Sequence, residues 1–274
     1  MLYVIKADGS KQLFDKEKIF YTCIRLGLTI EQAKKVSNEI EKKIYDGIHT
    51  RKILGMVFKL ASEYKPDLKF IIGLKESISL LRSKPDFEKF IEKILKNLGY
   101  ETKTNLIIEG KCIEHEIDII AKSEKEFLMV EVKHHVNPHE PVPLDIFLKV
   151  NSVFQDIKEG FELKKHNFNF TNVLIVCNTK VSQHAMRYGI CKGIKFIAWK
   201  YPKENSLEIL IEKYKLYPIT ILKSIEIEEA YKLCDAGILT LKDLINSNPN
   251  EISIKTKINQ KRIEELQKIA IKVS

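Results

Sequence analysis

Glu116-Ile117-Asp118-Ile119-Ile120 and, about a dozen residues on, Val130-Glu131-Val132-Lys133 are the stretches whose reading decides the fold. A β-strand points successive side chains to opposite faces. Glu116 and Asp118 therefore share one face of the first stretch, and Ile117 and Ile119 take the other. The same period sets Glu131 and Lys133 together, opposite Val130 and Val132. Two adjacent strands then present three carboxylates and an ammonium on one side. Charges held against one another on a hydrophobic strand need compensation, and a hard divalent cation bound through carboxylate oxygens supplies it. The plainer alternative is an exposed sheet face carrying a cross-strand salt bridge.

Outward from these strands, the pattern is that of a mixed sheet flanked by helices. Phe87, Phe90, Ile91, Ile94, Leu95 and Leu98 recur at helical spacing, with Gly99 where a C-cap belongs. Strands are predicted over 105–109, 116–121, 127–133, 172–177 and 194–199, with helices over 144–159 and 182–191. Ahead of them lies a small unit: a strand at Tyr3 and Ile5, a turn at Asp8-Gly9, and a second strand through Leu13-Phe14. Three helices follow, the first capped by Asp15, the second over 29–45, the third after Thr50. Beyond Pro218 only short helices are predicted, over 225–236, 239–245 and 259–273, broken by Gly237 and Asn248-Pro249. The expected layout is a multidomain α/β chain: 1–66, a connector 67–84, a core 85–217 and a helical tail 218–274.

Composition bounds the function. Among 274 residues, 44% are hydrophobic and 30% charged, the balance of a folded chain that two or three domains can share. No apolar run reaches membrane-span length and the opening residues do not read as a secretion signal, so a cytoplasmic protein without a membrane partner is expected. The five cysteines are scattered without a CxxC pair, which argues against a disulfide framework or zinc ribbon. His135 and His139 are four apart, but Pro138 between them disfavours one helix presenting both to zinc. The net charge of +9 suits a polyanion such as nucleic acid.

The residues around the two strands carry a resemblance. Phe87-Glu88-Lys89-Phe90 with Leu95 and Gly99-Tyr100, then Gly110 to Asp118, then Glu131-Val132-Lys133, resemble the PD-(D/E)XK nucleases, in particular their Mrr-type restriction endonuclease branch. The resemblance implies that Asp118 and Glu131 hold Mg²⁺ or Mn²⁺, that Lys133 serves the attacking water, and that Glu88 assists. Glu88 reads equally as a solvated helix carboxylate. Glu116, Asp145 and Gln155 are candidates for a supporting role, and His134 and His135 for phosphate contact.

At the amino end, Val4 to Ser10, Phe14 to Ile19 and Tyr45 to Thr50 resemble an ATP-cone. That implies phosphate contacts from Lys6 and Lys18, a base contact from Thr50, and ATP or dATP as effector. Ala7 stands where the family usually carries arginine. Since no GxxxxGK[ST] is present, hydrolysis as motor fuel is not expected. ATP-cones commonly associate with each other, so a homo-oligomer is expected. The tail, through Leu233 to Leu244 and Ile258 to Leu266, resembles a helix-hairpin-helix or SAM-like domain, with Lys255, Lys257, Lys261 and Arg262 as DNA contacts. Asn259 and Gln260 stand where hairpin glycines usually sit. The expected function is a metal-dependent DNA endonuclease regulated by adenine nucleotide. A non-catalytic, nucleotide-responsive DNA-binding regulator and an interaction scaffold are the alternatives.

Overall fold

The computed structural model describes residues 2–7 and 9–274; Asp8 of the expected Asp8-Gly9 turn lies outside the described residues. They pack as two compact units. One holds the residues up to Ile72 with Leu222–Ser224 and Lys268–Val273, and the other holds Gly73–Ile221 and Ile225–Gln267.

The first unit runs β1 (Tyr3–Ile5), β2 (Lys11–Leu13), α1 (Lys16–Arg25), α2 (Ile30–Glu41), β3 (Ile48–His49) and α3 (Thr50–Tyr64). The caps explain the helix starts. Asp15 accepts from Glu17 N at 3.0 Å, and Thr29 forms a capping box with Gln32. The second helix ends at Glu41, short of the expected position 45. The two strands anticipated are three, in the order β2-β1-β3, with β3 parallel to β1. Two residues are too few for alternation to show. Gly47, at φ 79°, turns the chain into β3 and donates its N–H to Tyr3 O. Val4, Ile19, Cys23, Val36, Ile40 and Val57 are buried between sheet and helices.

The second unit begins with α4 (Leu74–Ser79) and α5 (Glu88–Asn97). A five-stranded sheet follows: β4 (Glu101–Glu109), β5 (Glu114–Lys122), β6 (Phe127–Lys133), β7 (Asn172–Cys177) and β8 (Lys195–Ile197), side by side in chain order. β4, β5 and β6 are antiparallel; β6, β7 and β8 are parallel, with α6 (Leu144–Glu162) and α7 (Gln183–Lys192) as the crossovers. Ile117, Ile119, Ile120, Met129 and Val130 are all buried, so this part of the sheet is covered on both faces.

After α8 (Leu207–Tyr214) come α9 (Ile227–Asp235), α10 (Leu241–Asn246), α11 (Pro249–Thr256) and α12 (Gln260–Val273). α8 and α11 lie outside the helices expected from periodicity. Asn248-Pro249 was expected to break helix, but Asn248 accepts from Asn250 N and Pro249 occupies the first turn, where its missing N–H costs nothing. Leu233, Leu244, Ile263 and Leu266 are buried, and Lys93 reaches Asp243 at 2.8 Å.

Candidate active site

At Asp118 the sheet changes its bonding. The β5–β6 ladder pairs Ile119 with Val130 and stops there, while on the other side the β4–β5 ladder passes over the Asn105–Asp118 position, where Asn105 has φ 55°. Asp118 is left without a ladder partner, and its side chain fills the gap: Oδ2 accepts the Val132 N–H at 2.8 Å. A carboxylate takes the place of a strand carbonyl. That fixes its orientation through a charge-assisted bond.

Around it the expected residues converge. Lys133 Nζ lies 3.3 Å from Glu131 Oε1. Glu88, at the start of α5, is 3% exposed and Asp118 6%. Burial raises the Glu88 carboxyl above its ordinary range, against the pull of Lys84, and the neighbouring Asp118 charge adds to the rise. Glu131 is likewise raised, first by burial and then by Asp118, while Lys133 and Lys149 oppose. Both shifts come first from burial, with the neighbouring Asp118 charge adding to it.

Lys84 was not anticipated. Its ammonium lies 3.0 Å from Asp118 Oδ1, 3.1 Å from Glu116 Oε1 and 3.1 Å from Glu88 Oε1. The i, i+4 spacing to Glu88 was the available sequence signal, hidden because Pro85 separates them. Even so, the buried Glu88 Oε1 receives no hydrogen bond of good geometry. Among the described residues no three His, Cys, Asp or Glu side chains already stand in a metal-holding arrangement. The buried Glu88 Oε1, ion-paired with Lys84 but without a hydrogen bond, and the all-oxygen donor set of Glu88, Asp118 and Glu131 nonetheless fit a hard divalent cation.

The two histidines lie differently. His134 bonds Ile78 O through Nε2 at 3.1 Å and packs on Phe87, burial lowers its pKa, and its buried Nδ1 has no hydrogen-bond partner. His135 is tied by its backbone to the Asn178 amide, N–H to Oδ1 and O to Nδ2, each at 2.8 Å. Asp145 and Gln155 are exposed on α6. Asp156, beside Gln155, instead carries a structural knot: it accepts from Cys112 N at 2.9 Å and pairs with His115 Nε2 at 2.8 Å.

In the first unit a cavity of about 200 Å³ opens between β1, β2, α1 and α3. Lys18 and Thr50 both line it, over an apolar floor of Val4, Ile19, Ile53 and Val57, whereas Lys6 is not among its lining residues. In the tail Lys255, Lys257 and Lys261 are exposed, while Arg262 donates twice to Glu229 at 2.9 Å.

Three stretches of the chain match known families. Residues 2–68 match the ATP cone domain, residues 82–200 the restriction endonuclease domain, and residues 217–274 the AF1548-like C-terminal domain. An uncharacterized protein of Archaeoglobus fulgidus is 34% identical over 180 residues, spanning 65% of this chain and 98% of that protein. The crystal structure of the protein of unknown function AF1548 superposes with a TM-score of 0.58 at 31% identity, covering 73% of this chain and 98% of that one. The chain belongs to the AF1548-like family, and it joins a restriction endonuclease domain and the family's helical C-terminal domain to an ATP cone domain at its amino end.

Proposed function

We propose that this protein is a metal-dependent DNA endonuclease whose cutting is regulated by ATP or dATP. The observation that carries the reading is the convergence of Asp118, Glu131 and buried Glu88 with the Lys133 ammonium, at the point where β5 leaves its ladder. Asp118 and Glu131 would hold Mg²⁺ or Mn²⁺, with Glu88 completing the oxygen set and Glu116 at its exposed rim. A divalent ion bound there polarises a phosphate oxygen and lowers the pKa of water. The chain's own groups do the rest. Val132 N–H keeps Asp118 aimed, and Lys133 Nζ orients the water and stabilises charge on the phosphate.

DNA is favoured as substrate by the +9 charge and by the exposed Lys255, Lys257 and Lys261, with His135 a weaker candidate for phosphate contact; Asp145 and Gln155, exposed on α6, are candidates only for supporting the active site. The His134 ring and Arg262 guanidinium, spoken for by Ile78 and Glu229, rank below those lysines. Lys18 and Thr50 at one cavity support nucleotide binding, with Lys6 reaching phosphates from the adjoining turn. Two copies acting together would cut both strands. Among the described residues no helix is long and apolar enough to cross a membrane, and five free cysteines suit the reducing cytoplasm. The test is plasmid cleavage with Mg²⁺ or Mn²⁺, with and without ATP. DNA binding without metal-supported cleavage would instead favour a nucleotide-responsive regulator.

A further inference from the structure

Lys84 sits among carboxylates of the proposed cation site, sharing Asp118 and Glu88 with it. Three carboxylate oxygens, on Asp118, Glu88 and Glu116, lie within 3.1 Å of its nitrogen. These are hard oxygen donors, and two of the three residues are buried. A divalent ion and an ammonium cannot occupy one such node together, because their repulsion over a few ångströms in a partly desolvated site is large. One of them must leave.

The construction allows the lysine to be the one that goes. Its backbone is held on both sides: Arg82 binds the buried Asp86 through its backbone N–H and guanidinium, and Phe87 is fully buried. Lys84 itself is extended, at φ −124° and ψ 137°. Its side chain is 53% exposed, so a flexible stem leads from an anchored backbone to the cluster with open solvent beside it. The fit to the cluster is also incomplete, since Glu88 Oε1 gains no well-formed hydrogen bond from it.

We propose that Lys84 is a built-in counter-ion, which holds the Asp118, Glu88 and Glu116 carboxylates together in the metal-free protein and must be displaced before a divalent cation binds. Metal affinity is then set by competition with this ammonium. The inference rests on the reading of the cluster as a cation site.

The test is titration of Mn²⁺ into the full chain, with free Mn²⁺ followed by electron paramagnetic resonance, for the wild type, Lys84→Met and Lys84→Arg. Lys84→Met should tighten the Mn²⁺ Kd by about tenfold, the scale expected when several partly exposed ion pairs no longer compete. Lys84→Arg, which keeps the charge, should stay within about twofold of wild type or bind more weakly. Without metal Lys84→Met should melt below the wild type, and saturating Mn²⁺ should close that gap. If Lys84→Met is folded by circular dichroism and binds Mn²⁺ no more tightly than a wild type that does bind it, the counter-ion role is wrong and the cation site stands. If Lys84→Met does not fold, tighter binding by Lys84→Arg than by wild type overturns the proposal in the same way. Absence of Mn²⁺ binding by every folded form at millimolar concentration removes the cation site, and the inference with it.

Discussion

Asp118 has two separable duties, and they can be pulled apart by substitution. One is structural: Oδ2 accepts the Val132 N–H where the strand ladder is interrupted. The other, in the proposed reaction, needs its negative charge. Asp118→Asn can keep the acceptor while removing the charge, whereas Asp118→Ala leaves a buried N–H unpaired, at a cost of about 1–3 kcal/mol. Thermal unfolding should therefore place Asp118→Ala below Asp118→Asn, with the asparagine variant close to wild type. Both should lose cleavage. Glu131→Ala and Lys133→Ala should each lower it by roughly 10²-fold or more, the scale of a lost positioned acid–base or electrostatic group. DNA affinity in EDTA should stay within about threefold, since phosphate contacts made by other residues supply it. Equal melting of the two Asp118 variants would show that the Val132 contact contributes little.

The elements around this residue are held in place by close backbone contacts and by one carboxylate. Gly160 of α6 lies so near the end of β4 that a Cβ there would stand 2.7 Å from Glu109 O and 2.8 Å from Gly110 C. Backbone cannot swing aside as a side-chain tip can, so Gly160→Ala should destabilise the protein by about 1–3 kcal/mol in denaturant unfolding. Asp156, also on α6, ties down the β4–β5 turn through Cys112 N and His115. The His115 hydrogen bond is the main reason its carboxyl is lowered from 3.8 to about 2. A depressed folded-state pKa means stability that is present above pH 4 and lost as pH falls through about 2. Asp156→Asn should thus melt below wild type at neutral pH, and the difference should shrink between pH 4 and 2; a constant difference would show that charge is not what Asp156 contributes. At this scale the sequence was informative where periodicity runs long. β6 was anticipated over 127–133 and the Ser182 cap of α7 lies at the expected start, because alternation and capping are local signals. What stayed hidden was non-local or brief: the two-residue β3, the short helix α11 behind Asn248-Pro249, and Lys84, whose meaning depends on a strand 32 to 34 residues further on. Asp118, Glu131 and Lys133 could be placed on shared faces from the period of two. That Asp118 would take a backbone amide could not, since it depends on where two ladders lapse.

For the whole molecule the proposal joins a nucleotide cavity, a cluster of acidic residues and a positive charge of +9 in one chain. An effector matters only through the difference in its affinity for two states, and a coupling of about 1–3 kcal/mol is the usual scale. ATP or dATP should shift both the sedimentation profile and the cleavage rate, and Lys18→Ala should uncouple the two from nucleotide while basal cutting persists. Calorimetry showing no heat of binding for either nucleotide at millimolar concentration would leave the ATP cone domain a packing unit. Replacing Lys255, Lys257 and Lys261 together with alanine should weaken DNA binding and lower the slope of log affinity against log salt by up to about 3, because each phosphate contact releases counterions. An unchanged slope would assign that surface another partner. Metal-dependent cleavage at the Asp118 cluster is tested by incubating supercoiled plasmid with the full chain and Mg²⁺ or Mn²⁺, beside Asp118→Asn and an EDTA control. The wild type with metal should give nicked or linear DNA and both controls intact plasmid; equal cleavage by folded Asp118→Asn, or none by the wild type with either metal at any nucleotide concentration, would rule out a nuclease centre at Asp118.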